Sequence, residues 1–308
     1  MKIVILDGYA LNPGDLSYDC LKAFGELTVY EGTDTEEAAI ARIGDAEIVL
    51  INKVPITESL LAACPSIRLI CVQATGYNVV DCEACKKRGI LVTNVPCYGT
   101  AAVAQFTMAL LLELCHQIGL HDRDVHAGGW EKADCFCYWL TPQMELAGKT
   151  MGIIGFGRIG QAEGRIAKAL GMNVIAFDIY HIPGIEEQLG IPYVEMDELL
   201  AMSDFVSVHA PAVDGGALIS AENIAKMKDG VVVINTSRGT NVDEAALLAA
   251  LESGKVRAAG LDVYADEPAT NKALYSHPMV SCTPHIGAAT NEAQKRIGAE
   301  IVDIIKAM

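Results

Sequence analysis

Three polar residues in the second half of the chain have side chains that can bind an anion and move a proton. Arg238, Glu267 and His285 each follow a short β-branched run that predicts a strand. The carboxyl ends of parallel strands share one edge of a sheet, where α/β proteins bind ligands, so the three are candidates for one site. Taken singly, each has a plainer interpretation: a surface ion pair, a solvated turn before Pro268, and a structural histidine.

A glycine pattern upstream predicts where a dinucleotide would bind. An apolar strand runs into Gly155, Gly157 and Gly160, spaced Gly-x-Gly-x-x-Gly, and a helical pattern follows. In this arrangement the first glycine permits a tight turn, the second lets the backbone approach a pyrophosphate, and the third lets helix and strand pack closely. The helix N-terminus then offers free N–H groups and a partial positive charge to the phosphates.

A carboxylate at the end of the next predicted strand completes the pattern. Asp178 follows Gly160 by 18 positions, close to the separation of about 20 residues expected for the acid that binds the adenosine ribose. Its carboxylate would accept hydrogen bonds from the ribose hydroxyls and would repel a 2′-phosphate. The pattern therefore predicts NAD, in preference to NADP, as the cofactor. The alternative is an ordinary strand–helix turn without a ligand.

Length and patterning indicate an α/β protein of two domains. The chain has 308 residues, half of them apolar, and short β-branched runs alternate with helical patterns throughout, which predicts parallel strands joined by helices. A long apolar helix is predicted over residues 101–119. The segment 121–145 shows little periodicity and is expected to form an arm or a subunit contact. A later strand is predicted over 259–263, and a last helix over 291–307.

Charge and cysteine usage disfavour several classes of partner. The formal net charge of −16 disfavours nucleic acid and anionic membranes. No run approaches the ~18 apolar residues of a membrane span, and the apolar N-terminal run is too short for a signal peptide, so a cytoplasmic protein is expected. Cys82 and Cys85 could form a redox or zinc pair, but no second pair has zinc-ribbon spacing. Reduced thiols and no metal site are therefore expected.

Together the motifs resemble the D-isomer-specific 2-hydroxyacid dehydrogenases over nearly the whole chain. The segments that carry the resemblance are Gly155-Phe-Gly-Arg-Ile-Gly160, Asn235-Thr-Ser-Arg-Gly239, Asp262-Val-Tyr-Ala-Asp-Glu-Pro268 and Thr283-Pro-His-Ile-Gly287. Val103-Ala-Gln105 and Ala133-Asp-Cys-Phe-Cys-Tyr-Trp139 favour the branch of glycerate dehydrogenases, or hydroxypyruvate reductases.

The resemblance implies an α/β fold of two doubly wound parallel-sheet domains. A Rossmann NAD-binding domain, residues 99–286, would be inserted into a flavodoxin-like substrate domain made of 1–98 plus 287–308. The resemblance also implies a homodimer, paired through the long helix and the arm after it. Trp139 would then either reach the neighbouring subunit's substrate site or simply pack as a core or interface aromatic.

The reaction implied by the resemblance is reduction of a small 2-oxo acid, such as hydroxypyruvate or glyoxylate, by NADH to the D-2-hydroxy acid. His285 would donate a proton to the carbonyl oxygen. Glu267 would hold one imidazole nitrogen and fix the orientation of the ring. Arg238 would grip the substrate carboxylate with its planar fork and polarise the carbonyl.

Further contacts follow from the same resemblance. Backbone N–H groups of Thr75 and Gly76 would bind the substrate carboxylate, with Thr75 also near the cofactor. The residues expected to contact the cofactor beyond the three glycines and Asp178 are Arg158 and Ile159 at the pyrophosphate, Thr236 and Ser237 at the nicotinamide pocket, and Asp262 at the nicotinamide amide.

Two alternatives stay open at this point. One is another activity of the same family, namely a D-lactate, phosphoglycerate or phosphite dehydrogenase. The other is a non-catalytic, NAD-sensing protein like the transcriptional corepressors of this fold, which retain the same three polar residues. A formate dehydrogenase is disfavoured, because that branch has glutamine at the position of Glu267.

Overall fold

Two separate parallel sheets organise the chain in the computed structural model, which describes residues 1–12, 14, 16–212 and 215–307. The first unit comprises Met1–Gly99 and Ala288–Met308, and the second comprises Thr100–Gly287. Met308, where the predicted first domain ends, lies outside the described residues. The predicted fold class, with two doubly wound parallel sheets, is confirmed.

The first unit has five parallel strands in the order β2-β1-β3-β4-β5, which is the flavodoxin-like order. Numbered along the chain, they are β1 Lys2–Ile5, β2 Glu26–Val29, β3 Ile48–Ile51, β4 Leu69–Val72 and β5 Leu91–Asn94. Both central strands β3 and β4 are buried at every position, as expected where helices cover both faces of a sheet. The helices of this unit are α1 Glu36–Ile43, α2 Glu58–Ala63, α3 Cys82–Lys87 and the final helix, α12, Asn291–Lys306.

The last helix packs into the core of the first unit. Ile297, Ile301 and Ile305 are each at most 3% exposed and form one stripe of α12 at a spacing of four residues. They belong to the same buried cluster as Ile3 and Ile5 of β1. Helix α12, which follows the whole second unit in the sequence, therefore completes the core of the first unit.

The second unit has six parallel strands in the order β11-β10-β9-β8-β6-β7. They are β6 Thr150–Ile154, β7 Asn173–Phe177, β8 Phe205–Val208, β9 Val231–Asn235, β10 Val256–Leu261 and β11 Val280–Cys282. Tyr193 forms a single parallel bridge to Ala176 beyond β7. If this bridge is counted as the third strand, the sheet has the Rossmann order 3-2-1-4-5-6, and β11 is one further strand. Strand β10 begins three residues before its predicted start, and its register with β9 shifts between Val256 and Ala258.

Helices of the second unit cover both faces of its sheet. They are α4 Thr100–His116, α5 Ile118–His126, α6 Arg158–Ala169, α7 Ile185–Leu189, α8 Met196–Met202, α9 Ala221–Lys226, α10 Glu244–Ser253 and α11 Lys272–Tyr275. Three short 3₁₀ segments complete the described elements: Gly8–Ala10 and Asp19–Phe24 in the first unit, and Gly239–Asn241 in the second.

The predicted long helix and irregular arm differ from the structure at their junction. The long helix ends at His116, where Gln117 has a φ of +44°, and α5 then occupies the start of the segment predicted to be irregular. No residue of α5 is buried in the described chain, so the helix lacks the apolar stripe that periodicity detects. No single described helix is long and apolar enough to span a membrane; α4 and α5 pass that test only as a pair, bent by 59°.

The Cys82 and Cys85 pair lies on the short helix α3 of the first unit. Both are free thiols, with Cys85 buried and Cys82 half-buried. Burial raises the pKa of the Cys85 thiol to about 11, which keeps it protonated and unreactive at neutral pH. These two residues are therefore part of the packing of α3.

Replacing Ile301 by alanine should destabilise the first unit, because it removes a side chain that is 1% exposed. We expect the free energy of unfolding to fall by about 2–5 kcal/mol, measured by urea denaturation. Lys295→Ala, on the exposed side of the same helix, is the control and should change stability little. Equal stability of the two variants would contradict the placement of α12 in this core.

Candidate active site

The ends of β10 and β11 bring a glutamate and a histidine into contact. Glu267 lies in the loop after β10, His285 lies just after β11, and Oε2 of Glu267 is 2.7 Å from Nδ1 of His285. The side chains are 34% and 37% exposed, respectively, so the pair lies at the surface of the second unit. Since Nδ1 is engaged by the carboxylate, proton exchange with a ligand would use Nε2.

A buried carboxylate holds the loop that carries His285. His285 has a φ of +56°, a left-handed conformation that a residue with a side chain seldom adopts. Its N–H donates to the carbonyl oxygen of Asp262 at 2.9 Å. The Asp262 carboxylate, 2% exposed, accepts from Thr283 Oγ1 at 2.7 Å and from the N–H groups of Ile286 and Gly287 at 2.9 and 2.8 Å. These bonds stabilise the loop in its strained conformation.

The loop after β9 carries Arg238 and is held by a network of short polar side chains. Oδ1 of Asn235 accepts from the N–H and the hydroxyl of Ser237 at 3.0 and 2.7 Å, and its amide nitrogen donates to the carbonyl of Arg238 at 2.8 Å. A Cβ on Gly239 would lie 1.8 Å from the backbone of Tyr264. Only glycine fits there, so the loops that carry Arg238 and Glu267 are in direct backbone contact.

Two residues that support the site, Thr107 and Tyr264, are not predicted by the sequence motifs. Thr107 on α4 is fully buried. Its hydroxyl donates to the carbonyl oxygen of Val103 at 2.8 Å and lies 2.9 Å from the hydroxyl of Thr236. The Tyr264 hydroxyl donates to the carbonyl of Leu261, and burial raises the pKa of Tyr264 so that it stays protonated. Thr107 could have been noticed as a polar residue within the otherwise apolar stretch of α4.

The glycine turn after β6 has the geometry that a dinucleotide site needs. Gly155 has a φ of +91°, and a Cβ there would lie 2.5 Å from the backbone nitrogen of Ala210. On Gly160 a Cβ would lie 2.4 Å from the carbonyl oxygen of Gly155, whereas on Gly157 it would meet no described atom within 4 Å. The first and third glycines therefore allow close packing, and the second faces open space into which a ligand fits.

The acid predicted to bind the ribose is attached to this turn. Asp178 follows β7, and its carboxylate accepts from the N–H of Phe156 at 2.7 Å and of Tyr180 at 3.0 Å. Helix α6 begins directly after the turn, with Arg158 exposed and Ile159 half-buried in its first turn. The N–H groups at such a helix start have no partner within the helix. The chain thus presents the acid and the backbone donors that a dinucleotide requires.

The predicted carboxylate-binding loop belongs to the first unit, unlike the residues above. Thr75 is exposed, Gly76 is half-buried, and both follow β4. The carbonyl of Thr75 accepts from the side-chain amide of Asn94 at 2.7 Å, and Asn52 donates to the carbonyl of Gln73 at 3.2 Å. The ends of β3 and β5 therefore hold this loop from both sides.

A second buried carboxylate organises the same edge of the first sheet. Asp7, at the end of β1, accepts from the N–H groups of Asn52, Lys53 and Val54. Burial raises the pKa of Asp7, an effect that these backbone hydrogen bonds oppose. The loop after β3 is thereby attached to β1, its neighbour in the sheet.

Comparison with known proteins places this geometry in a family. Residues 108–287 match the family model described as the NAD-binding domain of D-isomer-specific 2-hydroxyacid dehydrogenases. The chain is 52% identical to a hydroxypyruvate reductase of Blautia hydrogenotrophica, over 96% of this chain and 93% of that protein. It is 37% identical to a glycerate dehydrogenase of Methylorubrum extorquens, over 99% of this chain and 95% of the relative.

Solved structures agree with the sequence relatives. The crystal structure of D-lactate dehydrogenase from Aquifex aeolicus, complexed with NAD and lactic acid, superposes with a TM-score of 0.83 at 31% identity. The match covers all of this chain and 95% of that one. With the family model and the full-length relatives in agreement, the chain belongs to the D-isomer-specific 2-hydroxyacid dehydrogenases, an NAD-dependent family of oxidoreductases.

Proposed function

We propose that this protein reduces hydroxypyruvate or glyoxylate to the corresponding 2-hydroxy acid with NADH, or catalyses the reverse reaction. The observation that carries the proposal is the 2.7 Å contact between His285 and Glu267 at the carboxyl edge of the NAD-binding sheet. The identity of 52% to a hydroxypyruvate reductase supports this substrate class, as does similarity to a glyoxylate reductase of Thermococcus litoralis, 40% identical over 84% of this chain.

In this mechanism two side chains act on the 2-oxo acid, and a third orients one of them. Bound NADH supplies the hydride that reduces the carbonyl carbon. Nε2 of His285 gives a proton to the carbonyl oxygen, on which negative charge develops. Glu267 holds Nδ1 and so aims the imidazole. Arg238 binds the substrate carboxylate with its fork, and its charge stabilises the developing oxyanion.

The remaining candidate residues bind and orient the two ligands. Backbone N–H groups at Thr75 and Gly76 bind the substrate carboxylate in this proposal. The carboxylate of Asp178 accepts hydrogen bonds from the adenosine ribose and disfavours NADP, since a 2′-phosphate would meet its negative charge. The other proposed cofactor contacts are Gly155, Gly157, Arg158, Ile159 and Gly160 at the pyrophosphate, and Thr236, Ser237 and Asp262 around the nicotinamide.

Domain roles and assembly form part of the same proposal. The first unit would act as the substrate domain and the second as the NAD-binding domain. A homodimer is supported by aromatic side chains that follow α5 in one short segment: Trp130, Phe136 and Trp139 are 53%, 90% and 67% exposed in the single chain. Exposed apolar surface of this kind is typical of protein–protein contacts. The net charge of −16 disfavours nucleic acid and anionic membranes as partners, and a cytoplasmic location is part of the same proposal.

A substrate panel tests the proposed activity. NADH oxidation should be measured with hydroxypyruvate, glyoxylate, pyruvate and 3-phosphohydroxypyruvate. We expect hydroxypyruvate or glyoxylate to give the highest kcat/KM. A higher value for pyruvate or the phosphorylated acid would assign the other activities of the family. Lack of turnover with all four, despite tight NADH binding, would favour the NAD-sensing alternative.

Removing the proposed proton donor should slow reduction without lowering the affinity for the cofactor. For His285→Ala we expect kcat to fall by about 10²–10⁴-fold, the usual contribution of a general acid, with the Kd for NADH unchanged. His277→Ala is the matched control, because His277 precedes β11 and so lies at the amino-terminal end of the strands, away from the proposed site. Wild-type turnover in His285→Ala would remove this residue from the mechanism.

Removing the proposed ribose ligand should change cofactor preference. Asp178→Ala loses the acceptor for the ribose hydroxyls and the negative charge that opposes a 2′-phosphate, so the Kd for NADH should rise more than the Kd for NADPH. We expect the preference for NADH to fall by at least about tenfold, the value of one charged hydrogen bond. Asp197→Ala, an exposed carboxylate on α8, serves as the control. An unchanged NADH-to-NADPH ratio would contradict the assignment.

A further inference from the structure

A buried glutamate–histidine pair lies behind the glycine turn and takes no part in the chemistry above. Glu163 lies on α6, and His209 directly follows β8. Oε2 of Glu163 is 2.6 Å from Nε2 of His209, and the two side chains are 0% and 2% exposed. The hydroxyl of Ser207, also buried, lies 3.1 Å from the same nitrogen. This cluster is thus closed off from solvent.

The pair occupies positions where apolar residues would ordinarily be found. Glu163 shares the buried face of α6 with Gly160, Gly164 and Ala167. Glu163 Oε1 and His209 Nδ1 are buried and have no hydrogen-bond partner among the described residues, which adds to the cost of burying the pair. Apolar replacements of buried ion pairs are often neutral or stabilising. Stability alone therefore does not account for these two residues.

The two residues connect the two sides of the glycine turn. Glu163 belongs to the helix whose first turn follows Gly157. The N–H of His209 donates to the carbonyl of Ile154 at 2.7 Å, and its carbonyl carbon lies 2.7 Å from where a Cβ on Gly155 would stand. Strand order reverses between β6 and β8, and such a switch point is where α/β sheets bind ligands.

We propose that Glu163 and His209 are positioning residues for the diphosphate of the dinucleotide. The contact holds α6 against the strand end that packs on Gly155, so the N–H groups at the helix start stay aligned with the phosphate oxygens. Neither residue touches the ligand in this role. The inference rests on NAD binding but not on which 2-oxo acid is reduced, so it is tested by binding and not by turnover with a chosen substrate.

The test compares ligands with and without a diphosphate. Glu163→Leu fills the site with an apolar side chain. In this variant we expect the Kd for NADH and for ADP-ribose to rise about tenfold, which is the usual effect of removing a residue that orients the groups in contact with a ligand. The Kd for adenosine, followed by ligand-observed NMR, should stay within a factor of about two, since adenosine lacks the phosphates. Glu163→Gln retains an acceptor for the imidazole and should bind NADH within about threefold of the wild type.

Arg165→Leu, on the exposed side of the same helix, is the matched control and should bind all three ligands normally. An unchanged NADH affinity in folded Glu163→Leu would overturn the proposal. So would an equal loss for adenosine and NADH, because it would indicate general disruption of the unit. If Glu163→Leu does not fold, His209→Gln is judged by the same comparison. If the wild-type protein binds NADH and ADP-ribose but reduces none of the 2-oxo acids, the proposed activity fails, while the comparison of Kd values still decides this inference.

Discussion

The hydrogen bonds accepted by the carboxylate of Asp262 organise the proposed reaction site. This carboxylate is buried, and it accepts three hydrogen bonds from the loop that carries His285, whose backbone has a φ of +56°. A left-handed residue with a side chain persists only where its surroundings stabilise it. Because Asp262 stands at the end of β10, the sheet itself determines where the imidazole lies and allows its contact with Glu267.

Close backbone contact is the second constraint on the site. Gly239 allows the Arg238 loop to touch the backbone of Tyr264, and Gly160 allows α6 to approach the turn at Gly155. At each of these contacts a single Cβ would force the backbones apart. The spacing between the loops that carry Arg238 and Glu267 is thus set by Gly239, and the approach of α6 to the glycine turn is set by Gly160.

Electrostatics act locally in this chain. A net charge of −16 opposes the approach of an anionic 2-oxo acid at long range, so attraction must come from nearby groups such as Arg238 and the backbone N–H groups. Short-range geometry, and not the overall field, therefore supports the proposed anion site.

Much of the fold could be predicted from local sequence patterns, because each depends on residues that are close together in the chain. The central strands are continuous apolar runs, and the turn at Gly155–Gly160 combines its motif with an acid at the proper distance. Helix α5 could not be predicted from periodicity, because none of its residues is buried. The bridge at Tyr193 could not be predicted either, because a single paired residue has no periodic pattern.

Patterns in the amino-acid sequence were enough to predict two parallel sheets, the glycine turn, the acid proposed to bind the ribose, and three polar residues at strand ends. The folded structure was needed to show that Glu267 contacts His285, that Asp262 holds the His285 loop, and that Glu163 contacts His209 beneath the turn. The physical reason is that these contacts join residues far apart in the chain through the packing of strands and helices, 46 positions apart in the case of Glu163 and His209. Such contacts leave no periodic or local mark in the sequence.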